Sequence, residues 1–209
     1  MTKKKNITHV FMVVDKSGSM HPLQDDVIGG FNTYINTLAE DTKHDYRITV
    51  VLFDTAIRRH SEAKKPAEVA ALDYHSYTPG GGTALHDAVG DAIYDAGRVT
   101  IKSGDKFLVV IMTDGEENSS REYTTEAIKA RIQDREKIGW EFLYIGQGLD
   151  TWRQASGMGL RQSSYVHVNS SRGATAGTYS GLGVGTIAVA AGGSVIDTKK
   201  AVEKDTDGK

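Results

Sequence analysis

The chain has 209 residues, of which 39% are hydrophobic and 25% charged, with a formal net charge of −2 and no cysteine. A chain of this length suits one domain, which buries roughly 70% of its unfolded surface without any covalent staple. The missing cysteines exclude disulfides and thiolate metal sites and suit a reducing compartment, and the near-neutral charge leaves no broad basic field for nucleic acid.

Residues 1–6 read as a flexible basic N-terminus containing Lys3-Lys4-Lys5. No signal peptide is expected, because the apolar run Val10 to Val14 is too short for an h-region and ends in an acid. That run predicts a first strand, His9–Val14. A helix follows over Asp25–Glu40, where Val27, Phe31, Tyr34, Ile35 and Leu38 recur at three- and four-residue steps and form one apolar stripe. Tyr46–Phe53 reads as the second strand. The pattern then weakens, admitting a short edge strand at Ile57–Ser61 and a helical turn at Ala67–Leu72. A second helix is expected over Ala84–Val99, with Leu85, Ala88, Val89, Ala92, Ile93 and Ala96 on one face. Strand Lys106–Met112, helix Thr124–Ile138, strand Trp140–Ile145, helix Asp150–Met158 and strand Tyr165–Val168 complete the series. Apolar runs with little alternation are those of strands covered on both faces. The expected fold is therefore α/β, a three-layer Rossmann-like sandwich with a central, mostly parallel sheet flanked by helices.

Between Gly173 and Ile196 there is no charged residue, and Gly173, Gly177, Gly181 and Gly185 recur every fourth position. Three readings of this segment compete: a final helix whose glycine face permits close approach, a disordered or partner-dependent tail, and a membrane-inserting segment. The last is disfavoured by its poverty in Leu, Ile and Phe. Residues 197–209 read as a solvated, disordered C-terminus.

Three segments carry the chemistry: Asp15-Lys16-Ser17-Gly18-Ser19, Gly82-Thr83 and Thr113-Asp114-Gly115. Asp15 and Asp114 each follow a predicted strand, and Thr83 precedes a predicted helix. In an open parallel sheet, ligands bind outside the carboxyl ends of the strands, so this architecture brings the three loops together. Two carboxylates, three hydroxyls and water suit a hard divalent cation such as Mg²⁺. Each segment alone has a plainer reading, as a cap or a turn. Their joint placement favours a site.

These residues resemble the metal ion-dependent adhesion site (MIDAS) of the von Willebrand factor A domains, a pattern Asp-x-Ser-x-Ser, then Thr, then Asp. Asp15, Ser17, Ser19, Thr83 and Asp114 fill all five positions. The surroundings Pro79-Gly80-Gly81-Gly82-Thr83-Ala84-Leu85 and Thr113-Asp114-Gly115-Glu116-Glu117-Asn118 are similar too, closest to short bacterial and bacteriophage members. The likeness covers residues 7–170 and stops short of the glycine-rich segment, 171–196.

The resemblance implies that Ser17 and Ser19 bind Mg²⁺ through their hydroxyls, with Mn²⁺ as a substitute. It further implies that Thr83 and Asp114 alternate between direct and water-mediated contact, while Asp15 anchors mainly through water. One coordination position is then left for an Asp or Glu carboxylate of a partner protein. Gly82, Gly115 and Glu116 are expected at the rim of the site.

No catalytic residue and no enzymatic turnover are expected. A haloacid dehalogenase-type phosphotransfer site needs a second Asp where Ser17 stands. The glycine loop lacks the Gly-Lys-Ser/Thr ending of a P-loop, and Gly183-x-Gly185-x-x-Ala188 follows no adjacent strand. The seven histidines show no metal-ligand spacing, though His21 and His86 lie close to the site loops. The expected role is a metal-dependent protein–protein interaction module. The alternatives are an assembly component that self-associates through residues 173–196 and, more remotely, a metal-dependent hydrolase. The expected location is cytoplasmic, or alternatively a phage particle.

Overall fold

A computed structural model describes residues 6–100, 102–147, 150–168 and 174–206. Six strands form one sheet: β1 (Ile7–Asp15), β2 (Asp45–Phe53), β3 (Ile57–Lys64), β4 (Lys106–Thr113), β5 (Glu141–Gln147) and β6 (Tyr165–Val168). Their spatial order is β3-β2-β1-β4-β5-β6, with every pairing parallel except the antiparallel edge pair β2–β3. The six α-helices of the described residues are α1 (Gln24–Glu40), α2 (Leu85–Gly97), α3 (Thr125–Lys137), α4 (Thr151–Gly157), α5 (Ala174–Ala190) and α6 (Val195–Thr206). This is the α/β sandwich that the apolar runs predict. The turn expected at Ala67–Leu72 is a short 3₁₀ turn, Pro66–Glu68.

Alternation within each strand sorts the core into two layers. In β1, Val10, Met12 and Val14 face α1, α5 and α6, whereas Phe11 and Val13 face α2, α3 and α4. β4 repeats the division, with Leu108 and Val110 on one side and Val109 and Ile111 on the other. Both predicted helix stripes are buried: Phe31, Tyr34 and Leu38 of α1, and Leu85, Ala88, Val89, Ala92, Ile93 and Ala96 of α2. Apolar residues on both faces require helices on both faces, which is why these strands lack a polar side.

The C-terminal region departs from expectation at its end and, before that, follows the first of the three readings, the final helix. Residues 197–206, read as disordered, belong to α6; residues 207–209 lie outside the described part, as do residues 1–5 and Gly173. The charges Asp197, Lys199, Lys200, Glu203 and Lys204 hide a narrow inner face of Thr198 and Val202, both fully buried. An i,i+4 pair, Lys199 to Glu203 at 3.6 Å, lies on the outer side. The glycine-rich segment is helix α5, and its glycine face packs within the chain. A Cβ on Gly181 would lie 2.5 Å from the Ala201 carbonyl oxygen and from Val202 Cα of α6. One on Gly185 would collide with Thr198. On the opposite side Tyr179 of α5 packs directly against Gly30 of α1, and Gly183 meets Thr37. Small residues let three helices pack at close range, so α5 needs no charge of its own. Among the described residues, no helix is long and apolar enough to cross a membrane.

Two helical glycines provide a matched test. A Cβ on Gly29 of α1 meets nothing within 4 Å. Gly29→Ala is expected to stabilise by about 0.4–1 kcal/mol through reduced backbone entropy. Gly181→Ala forces α6 away and should cost about 1–3 kcal/mol. Thermal unfolding of the two variants should therefore shift the midpoint in opposite directions; a rise for Gly181→Ala would refute the close packing.

Candidate metal centre

The three segments named above meet at the carboxyl ends of β1 and β4. Asp15 is the last residue of β1, and its side chain is completely buried. Its Oδ1 accepts the Ser17 N–H at 2.6 Å, and its Oδ2 accepts the Thr113 hydroxyl. The first bond folds the chain back so that the Ser17 and Ser19 hydroxyls lie 3.1 Å apart. The second joins β1 to β4, whose following residue, Asp114, accepts the Ser19 hydroxyl at 2.7 Å through Oδ1. Thr83 stands just before α2, buried, with its N–H donated to Asn118 Oδ1 at 2.8 Å.

Gly115 shows where the hydroxyls converge. A Cβ built on it would lie 3.1 Å from Thr83 Oγ1, 3.3 Å from Ser19 Oγ and 3.5 Å from Ser17 Oγ. A side chain there would crowd the small space that three hydroxyls share. Among the described residues no three His, Cys, Asp or Glu side chains cluster as a metal site. The donor set is two carboxylates and three hydroxyls, an all-oxygen group of the kind that suits Mg²⁺ or Mn²⁺. All five predicted ligand candidates, with Gly115, are brought together. Gly82 is adjacent, and a Cβ there would strike Ser119 and Asn118. Glu116 is exposed and lines a neighbouring cavity. His86 is buried beside Glu117, and His21 is exposed.

A fourth loop, absent from the sequence reading, ties the others. Lys16 sits between the first two motif residues, buried, with its ammonium on the Asp54 carboxylate of the β2–β3 turn. Its N–H donates to the Phe53 carbonyl at 2.7 Å, and its carbonyl accepts from Gly80 at 2.9 Å. The same turn receives the glycine loop: Gly82 N–H donates to Thr55 Oγ1 at 2.8 Å, and Ala84 N–H to the Asp54 carbonyl at 2.9 Å. Gly81 adopts φ of 70° there, a conformation that side chains other than glycine rarely take. Glu117, too, holds loops together. Its carboxylate accepts the N–H groups of His86, Ser119 and Ser120, fastening the Asp114 loop to the start of α2. Asp87 does the same for the N–H groups of Arg121, Glu122 and Tyr123. An acid flanked by Asn and Ser in a loop is the signal that could have found Glu117.

Burial pushes the Asp15 carboxyl up to about 6, the donors Thr113 and Ser17 oppose this only in part, and the Asp114 charge adds to it. Burial likewise raises Asp114 against the pull of the Ser19 hydroxyl. A carboxyl whose folded pKa exceeds its unfolded value binds its proton more tightly in the folded state. It therefore removes stability as pH rises through the interval from about 4 to about 6. In EDTA at pH 7, Asp15→Asn should accordingly unfold several degrees above wild type, with the gap closing toward pH 4. An unchanged or lower midpoint at pH 7 would contradict the electrostatic account.

Comparison with known proteins agrees with this architecture. The profile of the von Willebrand factor type A domain matches residues 9–178. Among solved structures, the chain is similar to the von Willebrand factor domain of the type V pili tip protein Mfa5 from Porphyromonas gingivalis. The TM-score is 0.63 at 13% identity, covering 90% of this chain and 95% of that one. It is also similar to the manganese-loaded TRAP protein of Plasmodium vivax, with a TM-score of 0.58 and 18% identity over 78% of this chain and 69% of that one. A third similar structure is proximal thread matrix protein 1 from the mussel byssus, with zinc in its MIDAS motif: TM-score 0.61, 16% identity, 89% of this chain and 45% of that one. The chain thus spans under half of the mussel protein, and identities this low speak for the fold. No curated protein sequence matches. With the profile spanning β1 to the start of α5, the chain belongs to the von Willebrand factor type A domain family.

Proposed function

We propose that the chain is a metal-dependent protein–protein interaction module whose Mg²⁺, or Mn²⁺ in its place, recruits a carboxylate from a partner protein. The observation that carries this reading is the convergence of the Ser17, Ser19 and Thr83 hydroxyls beside Asp114, around the side-chain space that Gly115 leaves open. Ser17, Ser19 and Thr83 would hold the ion through hydroxyls and Asp114 through its carboxylate, with Asp15 behind them holding the loop. Bound there, the ion supplies an electrophilic position for an anionic ligand, because three of its protein ligands carry no formal charge.

The chain's own residues set up that position. Asp15 spends both oxygens on Ser17 and Thr113, so it shapes the loop. Lys16, held by Asp54, keeps its positive charge off the hydroxyl cluster. The reading is of binding rather than turnover. The metals in the similar Plasmodium and mussel structures lend support to a divalent ion. Self-association through the glycine stripe has no observation in its favour, since Gly181 and Gly185 face α6 of the same chain.

Calorimetric titration with Mg²⁺ and Mn²⁺ should show one site in the wild type. Binding should vanish in Asp114→Ala and in the Ser17→Ala, Ser19→Ala double variant, and fall in Gly115→Ala, whose methyl enters the shared space. Equal binding in all four proteins would refute the site. The functional reading requires, in addition, that partner capture from the source cell be lost both in EDTA and with Asp114→Ala; capture indifferent to metal would refute it.

A further inference from the structure

We propose that the cavity beside the Asp114 loop is a second subsite, taking a basic side chain from the same partner that offers its carboxylate. This rests on the metal-dependent reading above. The cavity measures about 380 Å³, and Glu116, Glu117, Asp150, Arg153, Gln154 and His86 are among its lining residues. It shares a wall with the metal centre. Gln154 of α4 donates through Nε2 to the Gly115 carbonyl at 3.1 Å and accepts the Glu117 N–H at 2.6 Å through Oε1. One short stretch, Asp114 to Glu117, therefore borders both the hydroxyl cluster and the cavity. A single peptide can reach both.

The charge in the cavity selects the occupant. Its lining holds three carboxylates against one guanidinium and one imidazole. Two of the three are already engaged. Glu117 accepts the N–H groups named above and the Ser120 hydroxyl, with the His86 ring 3.5 Å away. Those donors hold its carboxyl below the usual range despite the opposing effect of burial. Asp150 pairs with Arg153 at 3.6 Å. Glu116 is exposed and has neither an ion pair nor a hydrogen bond among the described residues. An unpaired carboxylate lining a cavity large enough for a long side chain matches an ammonium or guanidinium. It also repels a second acid, which directs the partner's carboxylate to the hydroxyl cluster and its base to the cavity. The recognised epitope is thus an acid with Lys or Arg a short, constant distance along the chain.

The test is selection of a displayed random peptide library on the full chain in Mg²⁺, with elution by EDTA, for wild type and Glu116→Lys. Eluted wild-type clones should carry Asp or Glu together with Lys or Arg at a constant offset. In Glu116→Lys the base enrichment at that offset should fall by about threefold or more, the scale of a partly exposed ion pair. Clones rich in acid but random at every offset would overturn the subsite and leave the metal-dependent reading standing. The same base enrichment in Glu116→Lys would also overturn the subsite. Clones without an enriched acid would overturn both.

Discussion

At the end of the central strand, a carboxylate with no exposure to water has each oxygen occupied by a donor from a different segment. The Asp15 bonds to Ser17 and Thr113 are short in reach and long in consequence. One bends the chain after β1 so that two serines face the same way. The other ties β1 to β4, so that Asp114 emerges beside Ser19. A parallel pair of strands with register His9 to Phe107 and Val14 to Met112 carries both residues to the same height. The sheet provides the alignment, and Asp15 converts it into a cluster. Tyr77 adds a third tie, donating its hydroxyl to the Asp15 carbonyl at 2.7 Å.

Such an arrangement costs stability. Two carboxylates near one another, one of them wholly buried, are a poor choice for a fold optimised only to persist. Functional sites commonly hold strain of this sort, offset by the surrounding structure. Here the offset is a two-layer apolar core on both faces of the sheet, together with a set of loop bonds that spend acids on backbone N–H groups. Glu117 and Asp87 are the principal examples, each satisfying three N–H groups of the loop and helix starts around the cluster. These acids contribute order to the site without contributing a ligand.

The parts of this molecule legible from sequence are those governed by local periodicity. The stripes of α1 and α2 and the apolar runs of β1 and β4 follow from spacing alone, and the ends of those strands locate Asp15 and Asp114. What escaped depends on contacts between distant residues. Nothing local in Asp54-Thr55 announces that it will receive Lys16 and the glycine loop, because that pairing exists only once β2 lies against β1. Most of α6 lies in the stretch 197–209 that reads as a disordered end, and its charged positions outnumber its buried ones. Its stability comes from Thr198 and Val202 meeting a surface that α5 makes by having no side chains at Gly181 and Gly185. In both cases the information lies in two segments jointly, and neither segment carries it alone.

The arrangement of α5 and α6 bears on where this domain ends. The family profile stops at residue 178, within the second turn of α5. Tyr179, Leu182 and Val202, all beyond that point, are fully buried in the same core cluster as Val10 and Val110. A chain trimmed at the family boundary would strip much of one layer from the sheet and present the central strands to water. The domain's physical edge lies at least as far as α6. The stretch that matches the family profile is thus shorter than the unit that shares one core.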